Sequence, residues 1–178
     1  MLYLVRHGES TLNAAGVKYG HLNPPLTLAG IEQANATATE LNGRVNVIVT
    51  SPLARAHHFA LLLAERLGLG QPLVSSALIE RSFGAAEGLT AQQIARDYPG
   101  RVPLMESDAQ AAARARNFLL DLNTTAAIIT HKGVIRGLTG TPLDNGAVIA
   151  WDPFDIEQLN AGIGYLNRPG DAGDAVPA

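Results

Sequence analysis

The chain opens with Leu2-Tyr3-Leu4-Val5-Arg6-His7-Gly8-Glu9-Ser10, where an apolar run of four residues passes directly into an arginine, a histidine and a glycine. Such a run indicates a short buried strand that ends in a loop. In an open parallel sheet, ligands bind in the crevice beyond the carboxyl ends of the strands. We therefore expect Arg6 and His7 to face a binding site at that edge of a sheet.

The composition is that of one globular domain. Of the 178 residues, 47% are hydrophobic and only 5% are aromatic. We therefore expect a core of alanine, leucine, valine and isoleucine packed between a sheet and helices. We assign residues 1–168 to a single domain and residues 169–178, which are rich in glycine, proline, aspartate and alanine, to a disordered tail.

Charge and cysteine usage exclude several functions. The net charge of -3 gives no general attraction for nucleic acid or for an anionic membrane, so neither is expected as a partner, and any anion site must be local. The absence of cysteine excludes disulfides and thiolate nucleophiles. Because no positively charged leader and no long apolar segment is present, we predict a cytoplasmic protein. The oligomeric state is left open.

Strand and helix signals alternate along the chain. The candidate strands are residues 2–5, 45–49, 126–130, 148–151 and 156–159. Helix starts are predicted at Thr27, Ser51-Pro52, Thr90, Ser107 and His131, of which Thr90 and Ser107 begin capping boxes. This alternation predicts an α/β fold, a three-layer sandwich with a mainly parallel central sheet and helices on both faces.

Three polar residues are expected to meet at one edge of that sheet. His7 follows the first strand, Arg55 lies in the first turn of the helix after the second strand, and His131 follows the strand at residues 126–130. An arginine near a helix N-terminus opposes the helix dipole unless an anion lies between the guanidinium and the helix amides. For Arg55 alone, a salt bridge or a solvated position is the simpler interpretation, but the convergence favours an anion site.

Five separated segments form a pattern. They are Arg6-His7-Gly8-Glu9-Ser10 with Asn13; Pro25-Leu26-Thr27 with Gly30 and Gln33-Ala34; Ser51-Pro52-Leu53 with Arg55-Ala56; Glu80-Arg81 with Gly84 and Glu87-Gly88; and Thr130-His131 with Gly133-Val134-Ile135-Arg136. In this order they resemble the histidine phosphatase superfamily, also called phosphoglycerate mutase-like. The resemblance covers most of the chain and favours the phosphatase branch.

The resemblance implies a metal-independent hydrolase that acts on a small phosphorylated metabolite through a phosphohistidine, without a cofactor. His7 would be the nucleophile, and Glu80 would protonate the leaving alkoxide. The phosphoryl oxygens would be held by Arg6, Asn13, Arg55 and His131. These roles suit phosphoryl transfer, in which catalysis consists mostly of positioning the reactants and stabilising charge electrostatically. Glu87 is the competing candidate for the acid, and Glu80 is preferred.

Three positions depart from the family pattern. Lys132 stands where glycine is usual, Phe59 where threonine is common, and Asn23 where aspartate is common. A positive charge at Lys132 would either disfavour the protonated form of His131 or recruit a second acidic group of the substrate. The plainer interpretation is a lysine that points to solvent.

Three histidines, His21, His57 and His58, lie outside these five segments. His21 lies in a loop near the expected site and is a tentative substrate contact, like Lys132. The neighbours His57 and His58 do not share a helix face, so we predict no metal site.

The alternative functions are a phosphoglycerate-type phosphomutase and a non-catalytic phosphate-recognising interaction module. A nucleophile together with an acid argues against the module, and the substrate itself is left open.

Overall fold

The computed structural model of the chain describes residues 1–100 and 102–155. The predicted strand at 156–159, the predicted tail at 169–178 and the predicted domain boundary at 168 lie outside the described residues. The strands are β1 (Leu2–Arg6), β2 (Val17–Lys18), β3 (Val47–Thr50), β4 (Leu73–Val74), β5 (Leu89–Thr90), β6 (Ala126–Thr130) and β7 (Val148–Trp151). The helices are α1 (Thr11–Ala14), α2 (Leu28–Leu41), α3 (Ala54–Leu67), α4 (Ala91–Asp97), α5 (Asp108–Leu120) and α6 (Lys132–Thr139).

The central sheet has the strand order β4-β3-β6-β1-β7. Neighbouring strands are parallel except for β7, which runs antiparallel to β1. This arrangement confirms the predicted α/β fold with a mainly parallel sheet. A separate two-stranded antiparallel sheet, formed by β2 and β5, was not predicted, because two-residue strands carry no readable periodicity.

Strand β6 shows why the fold has three layers. All of its residues are buried, and alternate residues point to opposite faces of the sheet. Ala126 and Ile128 pack into one hydrophobic cluster with residues of α5 and α6. Ala127 and Ile129 pack into a second cluster with residues of α2 and α3. The sheet is therefore covered by helices on both faces, as predicted.

Several predicted helix starts are confirmed by their caps. The Thr27 hydroxyl accepts a hydrogen bond from the amide of Gly30, and capping boxes begin α4 at Thr90 and α5 at Ser107. These caps satisfy amide groups that have no partner inside the helix. Within the described part of the chain, no helix combines the length and the apolar character needed to cross a membrane.

The predicted start of α3 at Ser51-Pro52 is wrong. The helix begins at Ala54, and its N-cap residue Leu53 provides no side-chain cap. Instead, Oδ1 of Asn23, distant in sequence, accepts a hydrogen bond from the Ala54 amide at 2.6 Å. Ser51 lies too early to cap the helix and contacts His131.

The loop after β1 lies against the first turn of α2 with no room for a side chain between them. A Cβ atom added to Gly30 would lie 2.2 Å from the carbonyl oxygen of Glu9, and one added to Gly8 would lie 2.4 Å from the carbonyl oxygen of Gly30. Both contacts are with backbone atoms, which cannot move aside without displacing the chain. These glycines therefore set the distance between the loop that follows β1 and α2.

We expect Gly30→Ala to lower the free energy of unfolding by about 1–3 kcal/mol, because the added methyl group overpacks this contact. The sign is informative, since an alanine in place of a helical glycine ordinarily stabilises a helix by up to about 1 kcal/mol. Urea unfolding measures the change. Gly70→Ala is the matched control, because a Cβ atom at Gly70 meets nothing within 4 Å. Equal stability of both variants would contradict the close approach.

Candidate active site

The register of β1 against β6 brings His7 and His131 together. Arg6 pairs with Thr130, so the next residue of each strand lies at the same level of the sheet edge. The His7 amide donates to the Thr130 carbonyl oxygen at 3.1 Å. The two imidazole rings lie edge to face with their centroids 5.0 Å apart, and both are almost completely buried.

The hydrogen bonds of His7 define its tautomer. Nδ1 lies 2.7 Å from the carbonyl oxygen of Gly8, and a carbonyl oxygen can only accept, so Nδ1 carries the proton. Nε2 accepts from Nε of Arg55 at 3.2 Å. Burial, followed by the charge of Arg55, lowers the pKa of His7 well below 6.5. The ring is therefore neutral at neutral pH, with its free electron pair on Nε2.

His131 is also neutral. Burial, followed by the nearby Arg55 and His7, lowers the pKa of His131 well below 6.5. Its Nε2 lies 2.8 Å from the Ser51 hydroxyl oxygen, while its Nδ1 is buried with no hydrogen-bond partner among the described residues. His131 can therefore offer a hydrogen bond to an anion, and burial favours its uncharged form.

Arg55 is fully buried and uses its donors within the protein. Its two terminal nitrogens donate to the carbonyl oxygens of Leu22 and Gly20, each at 2.9 Å. The guanidinium stacks over the Tyr19 ring at 4.5 Å, and its Nε donates to His7. Arg55 thus lies beside Nε2 of His7, is not solvated, and forms no salt bridge with an acidic side chain among residues 1–100 and 102–155.

Arg6 and Asn13 line the cavity beside His7. A terminal nitrogen of Arg6 donates to the Leu143 carbonyl oxygen at 2.9 Å, while its Nε is buried without a partner among the described residues. Oδ1 of Asn13 accepts from the amide and hydroxyl of Ser10. These bonds orient the Asn13 side chain through its Oδ1 atom and do not involve its Nδ2 group.

Asn145 supports His7 and Asn13, and the sequence did not indicate it. Its Nδ2 donates to the carbonyl oxygen of His7 at 2.9 Å and to Oδ1 of Asn13 at 3.3 Å. Asn145 lies in the turn before β7, which neighbours β1 in the sheet. The only sequence signal was a turn-type Asp144-Asn145-Gly146 segment, which gives no indication of its partners.

Glu80 is a buried carboxyl group with amide partners. Its side-chain oxygens accept from the amides of Arg81 at 2.9 Å and Gly133 at 3.3 Å. Burial raises the pKa of Glu80 above 4.5, although these hydrogen bonds and Arg55 act in the opposite direction. Glu80 lines the same cavity as His7, so the site contains a carboxyl group that is biased towards its protonated form.

Glu87 has a different environment. Its Oε1 accepts from the amides of His21 and Phe83 at 3.0 and 3.2 Å, and it does not line the cavity. The His21 ring donates from Nε2 to the carbonyl oxygen of Glu80 at 2.7 Å and is likewise absent from the cavity wall. Both side chains hold loops in place, which favours Glu80 over Glu87 as the acid and does not support His21 as a substrate contact.

The cavity has a volume of about 230 Å³. It is lined by Arg6, His7, Asn13, Gly16, Val17, Lys18, Tyr19, Gly20, Glu80, Phe83 and Lys132. Arg55 and His131 are buried and do not line the cavity, and Phe59 is buried in the core. Across residues 1–100 and 102–155, no group of three or more histidine, aspartate or glutamate residues is arranged to hold a metal ion.

Comparisons with known proteins agree with this geometry. The family model described as "Histidine phosphatase superfamily (branch 1)" matches residues 2–173. The putative phosphoserine phosphatase 2 of Hydrogenobacter thermophilus is 33% identical over 98% of this chain and 93% of its own length. The adenosylcobalamin/alpha-ribazole phosphatase of Salmonella typhimurium is 32% identical over 88% of this chain and 86% of its own length.

A solved structure is similar over most of the described fold. The mycobacterial glucosyl-3-phosphoglycerate phosphatase, in complex with VO3, superimposes with a TM-score of 0.74 and 29% sequence identity, covering 83% of this chain and 90% of its own. The family match spans nearly the whole chain and includes the five segments singled out in the sequence. The chain therefore belongs to the histidine phosphatase superfamily and is a phosphatase.

Proposed function

We propose that the enzyme hydrolyses a phosphomonoester of a small metabolite in two steps, with His7 as the nucleophile. The observation that carries the proposal is the state of the His7 ring. Its Nδ1 proton is bound by the Gly8 carbonyl oxygen, and its low pKa keeps Nε2 unprotonated at neutral pH. A neutral imidazole with one fixed tautomer is the form that can attack phosphorus.

In the first step, Nε2 of His7 forms a bond to phosphorus in line with the leaving oxygen, and the bond from phosphorus to that oxygen breaks. Glu80 transfers its proton to the oxygen, so the product leaves as an alcohol. Arg55 now donates to Nε2, and the arriving phosphoryl group would take over that donor. The Asn13 amide, Arg6 and His131 would hold the remaining phosphoryl oxygens.

In the second step, water attacks the phosphohistidine and the bond from Nε2 to phosphorus breaks. The Glu80 carboxylate takes a proton from this water, which restores the acid and releases inorganic phosphate. Burial supports both halves of this cycle, since it favours the neutral form of Glu80 and of His7. A purely phosphate-recognising module would need the cations but neither of these two groups.

Cavity size favours a small substrate. A volume of about 230 Å³ lies below the range of roughly 300–1,000 Å³ that is typical of sites for drug-sized ligands. The relatives are named for different phosphomonoesters, so their names do not select one substrate for this enzyme. A small phosphorylated metabolite fits this volume better than a phosphoprotein does.

Hydrolysis is favoured over phosphoryl transfer to a second substrate position. Half of the segment between Glu80 and His131 belongs to α4, α5 and β6, and α5 and β6 are packed in the hydrophobic core, which limits the length of chain that could form a lid. A mutase must instead exclude water from its phosphohistidine while the intermediate reorients. Water that reaches the phosphohistidine captures it, because water is far more concentrated than any acceptor alcohol.

Removal of the nucleophile is the direct test of this mechanism. We expect His7→Ala to lose at least about a thousandfold in kcat, because no other group can form the covalent intermediate. In the wild-type enzyme, quenched reactions with ³²P-labelled substrate should leave acid-labile, base-stable phosphate on His7. The exposed His58 supplies the control, and His58→Ala should keep both activity and labelling. Label on another residue would contradict the mechanism.

The role of Glu80 can be separated from that of Glu87 by leaving-group dependence. We expect Glu80→Gln to slow the hydrolysis of an alkyl phosphate about a hundredfold, and that of p-nitrophenyl phosphate much less, because nitrophenolate departs without a proton. The measurement is kcat for both substrates in parallel. Glu87→Gln keeps an oxygen acceptor for the His21 and Phe83 amides and should change both rates in equal proportion. Equal losses in Glu80→Gln would remove Glu80 as the acid.

The pH dependence follows from two opposite pKa shifts. The first step needs His7 unprotonated, and its lowered pKa satisfies this condition well below pH 6.5. It also needs Glu80 protonated, and its raised pKa extends that form above pH 4.5. We expect kcat for an alkyl phosphate to peak at mildly acidic pH and to fall as the pH rises. Glu80→Gln should flatten the alkaline limb of the profile, and an unchanged limb would contradict this assignment.

A further inference from the structure

The peptide group between Glu80 and Arg81 is hydrogen-bonded at both ends. Its N–H donates to Oε1 of the Glu80 side chain at 2.9 Å. Its carbonyl oxygen accepts from Nε2 of His21 at 2.7 Å and from a terminal nitrogen of Arg114 at 3.1 Å. The N–H and the C=O of a trans peptide lie in one rigid plane and point in opposite directions. The two donors on the carbonyl oxygen therefore also fix the direction of the N–H that orients the carboxyl group.

The space occupied by the Glu80 carboxyl group is narrow. Its second oxygen accepts from the Gly133 amide at 3.3 Å, a longer bond than the one from its own peptide group. A Cβ atom added to Gly133 would lie 2.6 Å from Oε1 of Glu80, so the carboxyl group lies directly against the start of α6. A rotation of the peptide group would therefore move the carboxyl group either into α6 or away from the Gly133 amide.

Arg114, which lies on α5, is itself held in a defined orientation. Its Nε and one terminal nitrogen donate to the two carboxylate oxygens of Glu106, each at 3.2 Å. Its other terminal nitrogen donates to the carbonyl oxygen of Ala77 at 2.7 Å. The guanidinium group is planar, and its donors form a rigid fork. With two sides of the fork bonded in this way, the donor that reaches the Glu80 carbonyl oxygen has little freedom to move.

His21 comes from the loop that also holds Arg55. The carbonyl oxygens of its two neighbours, Gly20 and Leu22, accept from the Arg55 guanidinium, and Nε of Arg55 donates to His7. One loop therefore contacts the peptide group of Glu80 through the His21 ring and the arginine beside His7 through its backbone. This position gives His21 a role other than the substrate contact considered from the sequence.

We propose that Arg114 and His21 are positioning residues for the general acid, and that together they hold the peptide group that aims the Glu80 carboxyl at the leaving oxygen. The inference rests on the proposed function, in which Glu80 supplies the proton. Neither side chain lines the cavity, so both act through Glu80. A proton donor must lie within hydrogen-bond reach of the oxygen that it protonates, so a small displacement of the carboxyl group lowers the rate only where a proton is needed.

The test is the leaving-group dependence of kcat, which distinguishes a misplaced acid from a general loss of structure. Arg114→Met keeps an unbranched stem and removes every donor. We expect it to slow the hydrolysis of an alkyl phosphate about tenfold and that of p-nitrophenyl phosphate less than about twofold, because nitrophenolate departs without a proton. His21→Ala should show the same selectivity with a loss of about threefold on the alkyl phosphate, since one donor stays on the carbonyl oxygen.

Two further variants assign the effect to the hydrogen bonds. In His21→Gln, the side-chain amide can donate from a position close to that of the imidazole Nε2, so this variant should retain most of the wild-type rate on both substrates. Arg116→Met is the control for Arg114→Met. Arg116 is also half-buried on α5, but a residue two positions further along a helix points to a different side. Its replacement should leave the ratio of the two rates unchanged.

A double variant tests whether the two residues act on the same group. Both donate to one carbonyl oxygen, so either donor alone still holds the peptide group. We therefore expect the combination of Arg114→Met with His21→Ala to lose more on the alkyl phosphate than the product of the single losses, and to approach the loss of about a hundredfold expected of Glu80→Gln. Thermal unfolding of each variant confirms that the rates are measured on folded protein.

Glu80→Gln, measured in parallel, separates this inference from the function on which it rests. If Glu80→Gln shows the leaving-group dependence while Arg114→Met and His21→Ala slow both substrates equally or not at all, the positioning role is overturned and the hydrolytic mechanism stands. If Glu80→Gln itself slows both substrates equally, the acid assignment fails, and this inference with it.

Two other results bear on the inference alone. Losses in the double variant that equal the product of the single losses would overturn the joint action on one peptide group. If Arg114→Met does not fold, the comparison of His21→Ala with His21→Gln gives the result, because both change an exposed side chain. Equal rate ratios in these two His21 variants would then overturn the inference.

Discussion

The parallel pairing of β1 with β6 is the constraint on which the site depends. The two strands lie in register so that Arg6 faces Thr130, and each is followed at once by a histidine. A slip of one residue would move one ring by about 3.3 Å along the strand and would turn every side chain of that strand to the other face. Both faces of β6 are buried in well-packed clusters, so such a slip would disrupt two cores. Hydrophobic packing thus sets the distance between the two imidazoles.

The electrostatics of the site follow from which buried groups have charged partners. Asp108 is ion-paired with Arg81, at 3.1 Å, and with Arg136, whereas the side-chain oxygens of Glu80 accept hydrogen bonds from two backbone amides. A carboxylate between two guanidinium groups is stabilised by them, while a buried carboxyl without a paired cation tends to remain protonated. Two neighbouring acidic residues therefore serve different purposes. Asp108 links Arg136 of α6 to Arg81, whereas burial shifts the Glu80 carboxyl towards the protonated form that the proposed mechanism requires.

Much of the fold could be predicted because its signals are local. A few adjacent residues determine each of these signals. The structure confirms the strands at 126–130 and 148–151 and the caps at Thr27, Thr90 and Ser107. Contacts between distant residues could not be predicted in the same way. The position of Ser51 against His131 depends on the register of β3 with β6, and the neutrality of His131 depends on its burial. Neither property leaves a pattern in the sequence.

The cap that Asn23 supplies to α3 has a consequence for how this part of the molecule can move. Gly20 and Leu22 bind the guanidinium of Arg55, and Asn23 binds the first amide of the helix that carries Arg55. All of these attachments come from one short loop. The loop and the start of α3 therefore behave as a single cooperative unit, since lifting the loop would leave both a buried cation and a helix terminus unsatisfied at the same time. The rigidity of this region therefore depends on the loop and the start of α3 together.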